Sequence, residues 1–243
     1  VKIGLVEGAC APYLSRMTET ILLALILVPC LVIAIVFHEV AHGWTALALG
    51  DPTAKALGRL SFNPIRHVDP VGTIVVPGAM LLLGGPVFGW AKPVPVIKER
   101  LNNPRFGMMA VGAAGPAMNF FLAAIGAVAL GLFAAFASAE PSQMAEVAVR
   151  AMTTFIPINI FLALFNLLPI PPFDGSHIVE GLLPPKAARL YEKARPAGML
   201  LFFAIVALSW FAPDLGVIEN LVGPPVGWAM DRYLDLARLV AGG

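Results

Sequence analysis

Long charge-free apolar runs alternate with short polar connections along this chain. Thr20–Phe37 is 18 residues, Val71–Ala91 is 21, Gly107–Ala139 is 33, Ala151–Phe173 is 23 and Ala197–Pro213 is 17. A helix needs about 20 mostly apolar residues to cross a bilayer, so each run reads as a membrane segment. A shorter run, Asn220–Met230, holds Gly223, Pro224, Pro225 and Gly227 and reads as interfacial. The first run follows Arg16 but meets no small-residue cleavage site, so it reads as a retained helix rather than a signal peptide. Val71–Ala91 is the odd segment, because Pro77-Gly78 and Gly84-Gly85-Pro86 interrupt it and Pro93 and Pro95 follow. These residues break or kink helices. Non-helical backbone at membrane depth survives only where protein buries it or a water-filled cavity satisfies it, so this stretch is a kinked span or a re-entrant segment. The expected fold is an all-α polytopic membrane protein of about five to six membrane segments. A re-entrant or short β-like element is expected between the first and second core helices.

Composition agrees. Apolar residues make up 58% of the 243 residues and charged residues 13%, against roughly 45–50% and about 25% in soluble domains, and the mean hydropathy is +0.83. Sixteen basic and 15 acidic residues leave a net charge of +1. Disorder is excluded by the hydrophobicity, and there is no basic excess with which to neutralise nucleic-acid phosphates. Cys10 and Cys30 form no CxxC or Cys/His cluster, so neither a disulfide framework nor a cysteine-based zinc site is supported.

The chemistry lies where the first run ends, in His38-Glu39-Val40-Ala41-His42. This is an HExxH sequence. On a helix, residues i and i+4 share a face, so both imidazoles can address one ion while Glu39 reaches a water activated by it. That is the arrangement of a zinc hydrolase with two histidine ligands and a glutamate general base. Ionisable groups in a membrane segment are costly and mark function by default, and structure alone gives no reason to place three of them within five residues. A catalytic zinc site takes three protein ligands and keeps one position open. Asp174 is the preferred third ligand. It follows the run 151–173 and the helix-ending Pro169, Pro171 and Pro172, at a rim where a buried charge needs a partner. The bland reading of Asp174 is a turn residue before Gly175. His67 is the weaker alternative ligand, and His177 reads as a loop or supporting histidine.

These residues resemble the site-2 protease family of intramembrane zinc metalloproteases, peptidase family M50. The resemblance rests on HEVAH at the end of a transmembrane helix, Gly115-Pro116-Ala-Met-Asn119 in a later helix, and Asn166-x-x-Pro169 leading into Asp174-Gly175, in the family's order. It spans about residues 20–185 and is closest to small bacterial members without PDZ or CBS domains. Phe173, where many members carry leucine, is a mild departure. The resemblance implies that His38, His42 and Asp174 bind Zn2+, that Glu39 is the general base, and that Asn119 lies near the substrate strand and can bond an extended peptide backbone. It further implies transmembrane protein substrates in a lipid bilayer, the bacterial inner membrane as location, and a division into an amino-terminal extension (1–19), a metalloprotease core (20–185) and an additional transmembrane helix with a C-terminal interfacial segment (186–243).

Ligation by both helix ends requires His42 and Asp174 to share a face of the membrane. They do so if 71–91 is re-entrant, and not if it spans. The re-entrant arrangement puts eleven Lys and Arg residues on the site's side against five on the other, and the spanning one divides the two sides ten to six. By the positive-inside rule the site is expected near the cytoplasmic face, with the amino terminus outside. Residues 55–63 and 86–97 look strand-like and are expected to offer an edge to an unwound substrate. Two other readings use the same residues: a membrane zinc hydrolase of another amide or a lipid, and a non-catalytic metal-binding membrane protein such as a transporter. Transporters often show internal repeats, and none is evident.

Overall fold

The apolar runs become helices whose ends are set by residues that break or cap them. The computed structural model describes residues 4–82, 89–137 and 142–243. Its helices are α1 (Gly4–Ala48), α2 (Thr53–Ala56), α3 (Val76–Leu82), α4 (Pro104–Ala135), α5 (Gln143–Asn166), α6 (Gly175–Leu182), α7 (Pro185–Lys193), α8 (Arg195–Phe211) and α9 (Val217–Val240). Asn103 opens α4 by accepting from the Phe106 N–H, with Pro104 in the first turn. Ser142 caps α5 through the Ala145 N–H. Both follow the ordinary chemistry of helix starts.

Three of these helices are long and apolar enough to cross a membrane: Glu19–Ala48 within α1, α4 and α5. A fourth crossing arises if α7 and α8, which meet at a 52° bend, act as one. The expected five to six segments are therefore not reached among the described residues. Residues 70–82 form a six-residue wide turn followed by the seven-residue α3, roughly 20 Å of helix at 1.5 Å per residue, which falls short of a bilayer core. Gly84-Gly85-Pro86 lies outside the described residues. Asn220–Met230 is absorbed into α9, which also carries Glu219, Asp231, Arg232, Asp235 and Arg238.

Nor does a strand form among the described residues, which corrects the β-like element and the expected substrate edge. Residues 55–63 close α2 with a turn and run on as coil. Residues 89–97 are free of helix, but their backbone is already committed. Pro93 and Pro95 have no N–H. The N–H groups of Trp90, Lys92, Val94 and Ile97 donate to Gly72 O, His67 O, Glu39 and Asp51 respectively.

Helix α4 is the centre of the bundle. Val111, Gly115, Asn119, Ala123, Ala127 and Gly131 recur every fourth residue and are all buried. Without a hydrophobic drive between helices in lipid, such small residues let backbones approach closely. A Cβ at Gly126 would stand 3.0 Å from the Ile156 side chain. Ala123 and Ala127 pack with Ile156 and Ile160 of α5 and Ala229 and Ala237 of α9, and Tyr233 of α9 donates to Phe120 O at 3.0 Å.

Contacts along the bundle fix its direction. Arg150 near the start of α5 pairs with Glu19 at 3.0 Å, while His42 near the end of α1 meets Asp174 just beyond the end of α5. Helices α1 and α5 are therefore parallel. Helix α4 runs against both, since His42 bonds Val111 and Ala34 bonds Asn119. Asn102 N donates to Leu49 O at 2.7 Å, so the chain leaves α1 and enters α4 at the same end. Lys98 and Gln143 should accordingly lie on opposite sides of the membrane. In a Cys10→Ser, Cys30→Ser background, a membrane-impermeant thiol reagent applied to intact cells should label only one of Lys98→Cys and Gln143→Cys; equal labelling of both would refute this direction.

The connection at that end is pinned by Asp51, whose side chain is fully buried. One carboxylate oxygen accepts from the Thr53 N–H at 3.0 Å and from the Thr53 hydroxyl, and the other from the Ile97 N–H at 2.6 Å. Burial by itself raises the Asp51 pKa, but these bonds and the charge of Arg100 outweigh it and hold the carboxyl below its usual value. A carboxylate with a lowered folded pKa contributes stability that is complete above its unfolded pKa of about 3.9 and is lost as pH falls through the folded value. Asp51→Asn should lower stability at neutral pH by about 1–3 kcal/mol. Thermal unfolding followed against pH should show wild type and variant converging only below about pH 4.

Candidate metal centre

His38 and His42 stand one turn apart near the end of α1, buried where α4 crosses. Each ring is held by its Nδ1. His42 Nδ1–H donates to Val111 O at 2.7 Å, and a carbonyl only accepts. His38 Nδ1 meets Asn119 Oδ1 at 2.5 Å. The Asn119 amide is oriented by its Nδ2 group, which donates to Ala34 O at 3.1 Å and to Asn159 Oδ1 at 2.9 Å. Asn159 is oriented in turn by donation to Phe155 O at 2.9 Å. Hence Asn119 Oδ1 is an acceptor, and His38 Nδ1 carries the proton.

As neutral imidazoles, both therefore present an unprotonated Nε2 to the same point. The two Nε2 atoms are 3.0 Å apart, and Asp174 Oδ2 lies 3.0 Å from the first and 3.2 Å from the second. Three lone-pair atoms at this separation repel unless a proton or a metal cation sits between them. Two atoms each about 2.0–2.1 Å from one tetrahedral zinc are roughly 3.3 Å apart, so the spacing and the donor set both suit that ion. Space for it is provided by Gly115, where a Cβ would stand 2.5 Å from both Nε2 atoms. His38, His42 and Asp174 are the one His/Cys/Asp/Glu group of this kind among the described residues.

The other expected residues fall as follows. Glu39 lies beside the cluster, with Oε2 accepting from the Val94 N–H at 2.8 Å. His67 is not in the cluster: it is buried in the 61–67 turn and its Nε2–H donates to Ser61 O at 2.7 Å. His177 sits in α6 one turn beyond Asp174, its Nδ1 accepting from Arg195 at 3.1 Å. Asn119 differs from its expected place near a substrate strand. It is fully buried, and its amide oxygen and N–H groups are taken up by His38, Ala34 and Asn159. Sequence reasoning passed over Asn159, though an asparagine in a charge-free membrane run is itself a signal. It also read Gly115 only as part of a motif.

This helical fold, with two imidazoles and a carboxylate converging in a membrane bundle, defines an integral-membrane metalloprotein of the HExxH type. The profile of Peptidase family M50 matches residues 131–209, which include Asp174. YwhC of Bacillus subtilis (strain 168), named as a candidate zinc metalloprotease, is 38% identical over 210 residues, covering 86% of this chain and 90% of its own. Two proteins named Rip2, also candidate zinc metalloproteases by name, are more distant. That of Mycolicibacterium smegmatis is 29% identical over 81% of this chain and 75% of its own. That of Mycobacterium tuberculosis H37Rv is 27% identical over 87% and 75%. The chain belongs to peptidase family M50, and so to the zinc metalloproteases. No solved structure matches it significantly.

Gly115 offers a test of the centre that removes none of its donor atoms. Gly115→Ala should retain the helical content of the wild type but fail to retain zinc, because the new methyl would stand 2.5 Å from both Nε2 atoms and force the two rings out of their converging geometry. Metal analysis of the purified variant at wild-type stoichiometry would refute that assignment.

Proposed function

We propose that this protein hydrolyses peptide bonds of transmembrane protein substrates at the edge of the bilayer, with His38, His42 and Asp174 as zinc ligands and Glu39 as general base. The observation that carries the reading is the convergence of His38 Nε2, His42 Nε2 and Asp174 Oδ2 with both histidine protons turned outward. Zinc bound there supplies a Lewis acid for the scissile carbonyl and lowers the pKa of a coordinated water. Glu39 accepts a proton from the attacking water and returns it to the leaving amine. The Val94 N–H fixes the Glu39 carboxylate through Oε2, leaving Oε1 for this transfer. Asn119 acts as a positioning residue, since its amide oxygen sets the tautomer and angle of the His38 ring.

The site sits at the end of the bundle that also holds Lys55, Arg59, Lys92, Lys98, Arg100 and Arg105. The eleven-to-five distribution of basic residues supports a cytoplasmic site and an outer amino terminus in a bacterial inner membrane. Because the chain leaves α1 and enters α4 at one end, the intervening 50–103 makes no net crossing, which supports a re-entrant or interfacial course for 71–91. The atoms of the proposed centre come from residues 38–174, within the core assigned to 20–185.

Metal analysis separates the ligands from the base. Wild type and Glu39→Gln should carry one zinc each, while His38→Ala and Asp174→Ala should carry little. Cleavage of a model transmembrane peptide in detergent should fall by about 10²–10⁴ in Glu39→Gln. Undiminished cleavage by Glu39→Gln, or full zinc in Asp174→Ala, would overturn the assignment.

A further inference from the structure

Asp174 is delivered by α6, a helix of eight residues. A helix this short does not hold itself in place in isolation, so something outside it must set the ligand's position. Glycines permit its close approach to α4. A Cβ at Gly112 would stand 2.9 Å from Asp174 O and 3.0 Å from His177 Cβ, and one at Gly181 would stand 2.6 Å from Met109 Cβ. Close packing alone allows the helix to slide. Directional bonds at its far end oppose this. Arg105 of α4 donates through Nε to Gly181 O at 3.0 Å and through Nη2 to Leu183 O.

Glu180 is the hub of the remaining contacts. Its side chain is 9% exposed, and each carboxylate oxygen takes one cation. Oε1 accepts from Lys98 Nζ at 2.5 Å and Oε2 from Arg195 Nη2 at 2.6 Å. The same Arg195 nitrogen donates to His177 Nδ1 at 3.1 Å, which returns the network to α6 one turn after Asp174. Burial would raise the Glu180 pKa, but Lys98 and Arg195 together hold it below the usual carboxylate value. One carboxylate thus joins α6 to the linker before α4 and to the first residue of α8. A buried charge with two partners is a costly way to gain stability; its return here is a fixed geometry.

We infer that Glu180 is a positioning residue for the metal centre, holding α6 so that Asp174 meets His38 and His42. This rests on the zinc-site reading above. Groups that orient metal ligands typically contribute about 10–100-fold in metal affinity, and that is the loss expected here.

The test is zinc affinity of the full chain in detergent, measured by competition with a chromogenic chelator. Glu180→Gln should bind zinc about 10–100-fold more weakly than wild type, with helical content unchanged by circular dichroism. Glu180→Asp, which keeps the charge, should recover most of the affinity. Asp51→Asn also releases the linker but touches nothing on α6, and should bind zinc as wild type does. Wild-type affinity in Glu180→Gln overturns the inference, and so do equal losses in Glu180→Asp and Asp51→Asn, which would indicate general loosening. A wild-type chain that takes up no zinc overturns the metal-site reading itself, and this inference with it.

Discussion

Two imidazole nitrogens and a carboxylate oxygen are held within 3.2 Å of one another, and the rest of the molecule is arranged around that constraint. Imidazoles usually escape such crowding by moving a proton to the crowded nitrogen. Here Val111 O and Asn119 Oδ1 oppose that shift by holding a proton on each Nδ1. The Asn119 oxygen is itself fixed, since its amide donates to a backbone carbonyl and to Asn159. The tautomer of a histidine on α1 is therefore set by a chain of amides running through α4 to α5. In a medium where unsatisfied polar groups are costly, such a chain is maintained only if each of its members finds a partner.

That chain requires close helices, and the four-residue repeat of α4 supplies them. Gly115 and Asn119 belong to the same stripe as Ala123, Ala127 and Gly131. Small residues draw α5 and α9 against one part of α4, and at the site the same stripe leaves room beside the two Nε2 atoms. Packing and chemistry thus use one periodicity. A larger residue at 126 would press on Ile156 of α5, and one at 115 on both imidazole Nε2 atoms.

Much of this was legible in the sequence because it follows local rules. HExxH specifies two imidazoles on one helical face, and Asp174 stands at the end of an apolar run where a carboxylate needs a partner. The direction of the bundle followed from requiring those groups to meet. What escaped depends on contacts between elements. An apolar run does not show whether its backbone stays helical, so 71–91 counted as a segment although its helical part among the described residues, 70–82, is too short to cross. Residues 89–97 resemble a strand by composition, yet two prolines and internal bonds leave few donors for a neighbour. The partner of Asn119 is set by the crossing of α1 and α4, and residue spacing does not encode that crossing.

The linker before α4 shows how the same end of the bundle handles its charges. Three acidic side chains from separate places each grip one residue of a five-residue stretch: Glu39 takes the Val94 N–H, Asp51 the Ile97 N–H and Glu180 the Lys98 ammonium. Pro93 and Pro95 offer no N–H, so Val94 supplies the one backbone donor between them, and Glu39 takes it. A linker free to shift would leave the Glu39 carboxylate without a fixed direction. Pinned just beyond Val94 by Asp51 and Glu180, it orients the proposed base as Asn119 and Val111 orient the histidines. His38, His42 and Glu39 are therefore each aimed by a backbone or amide partner, and the charges of Asp51 and Glu180 that hold the linker lie just outside the span, where their desolvation costs least.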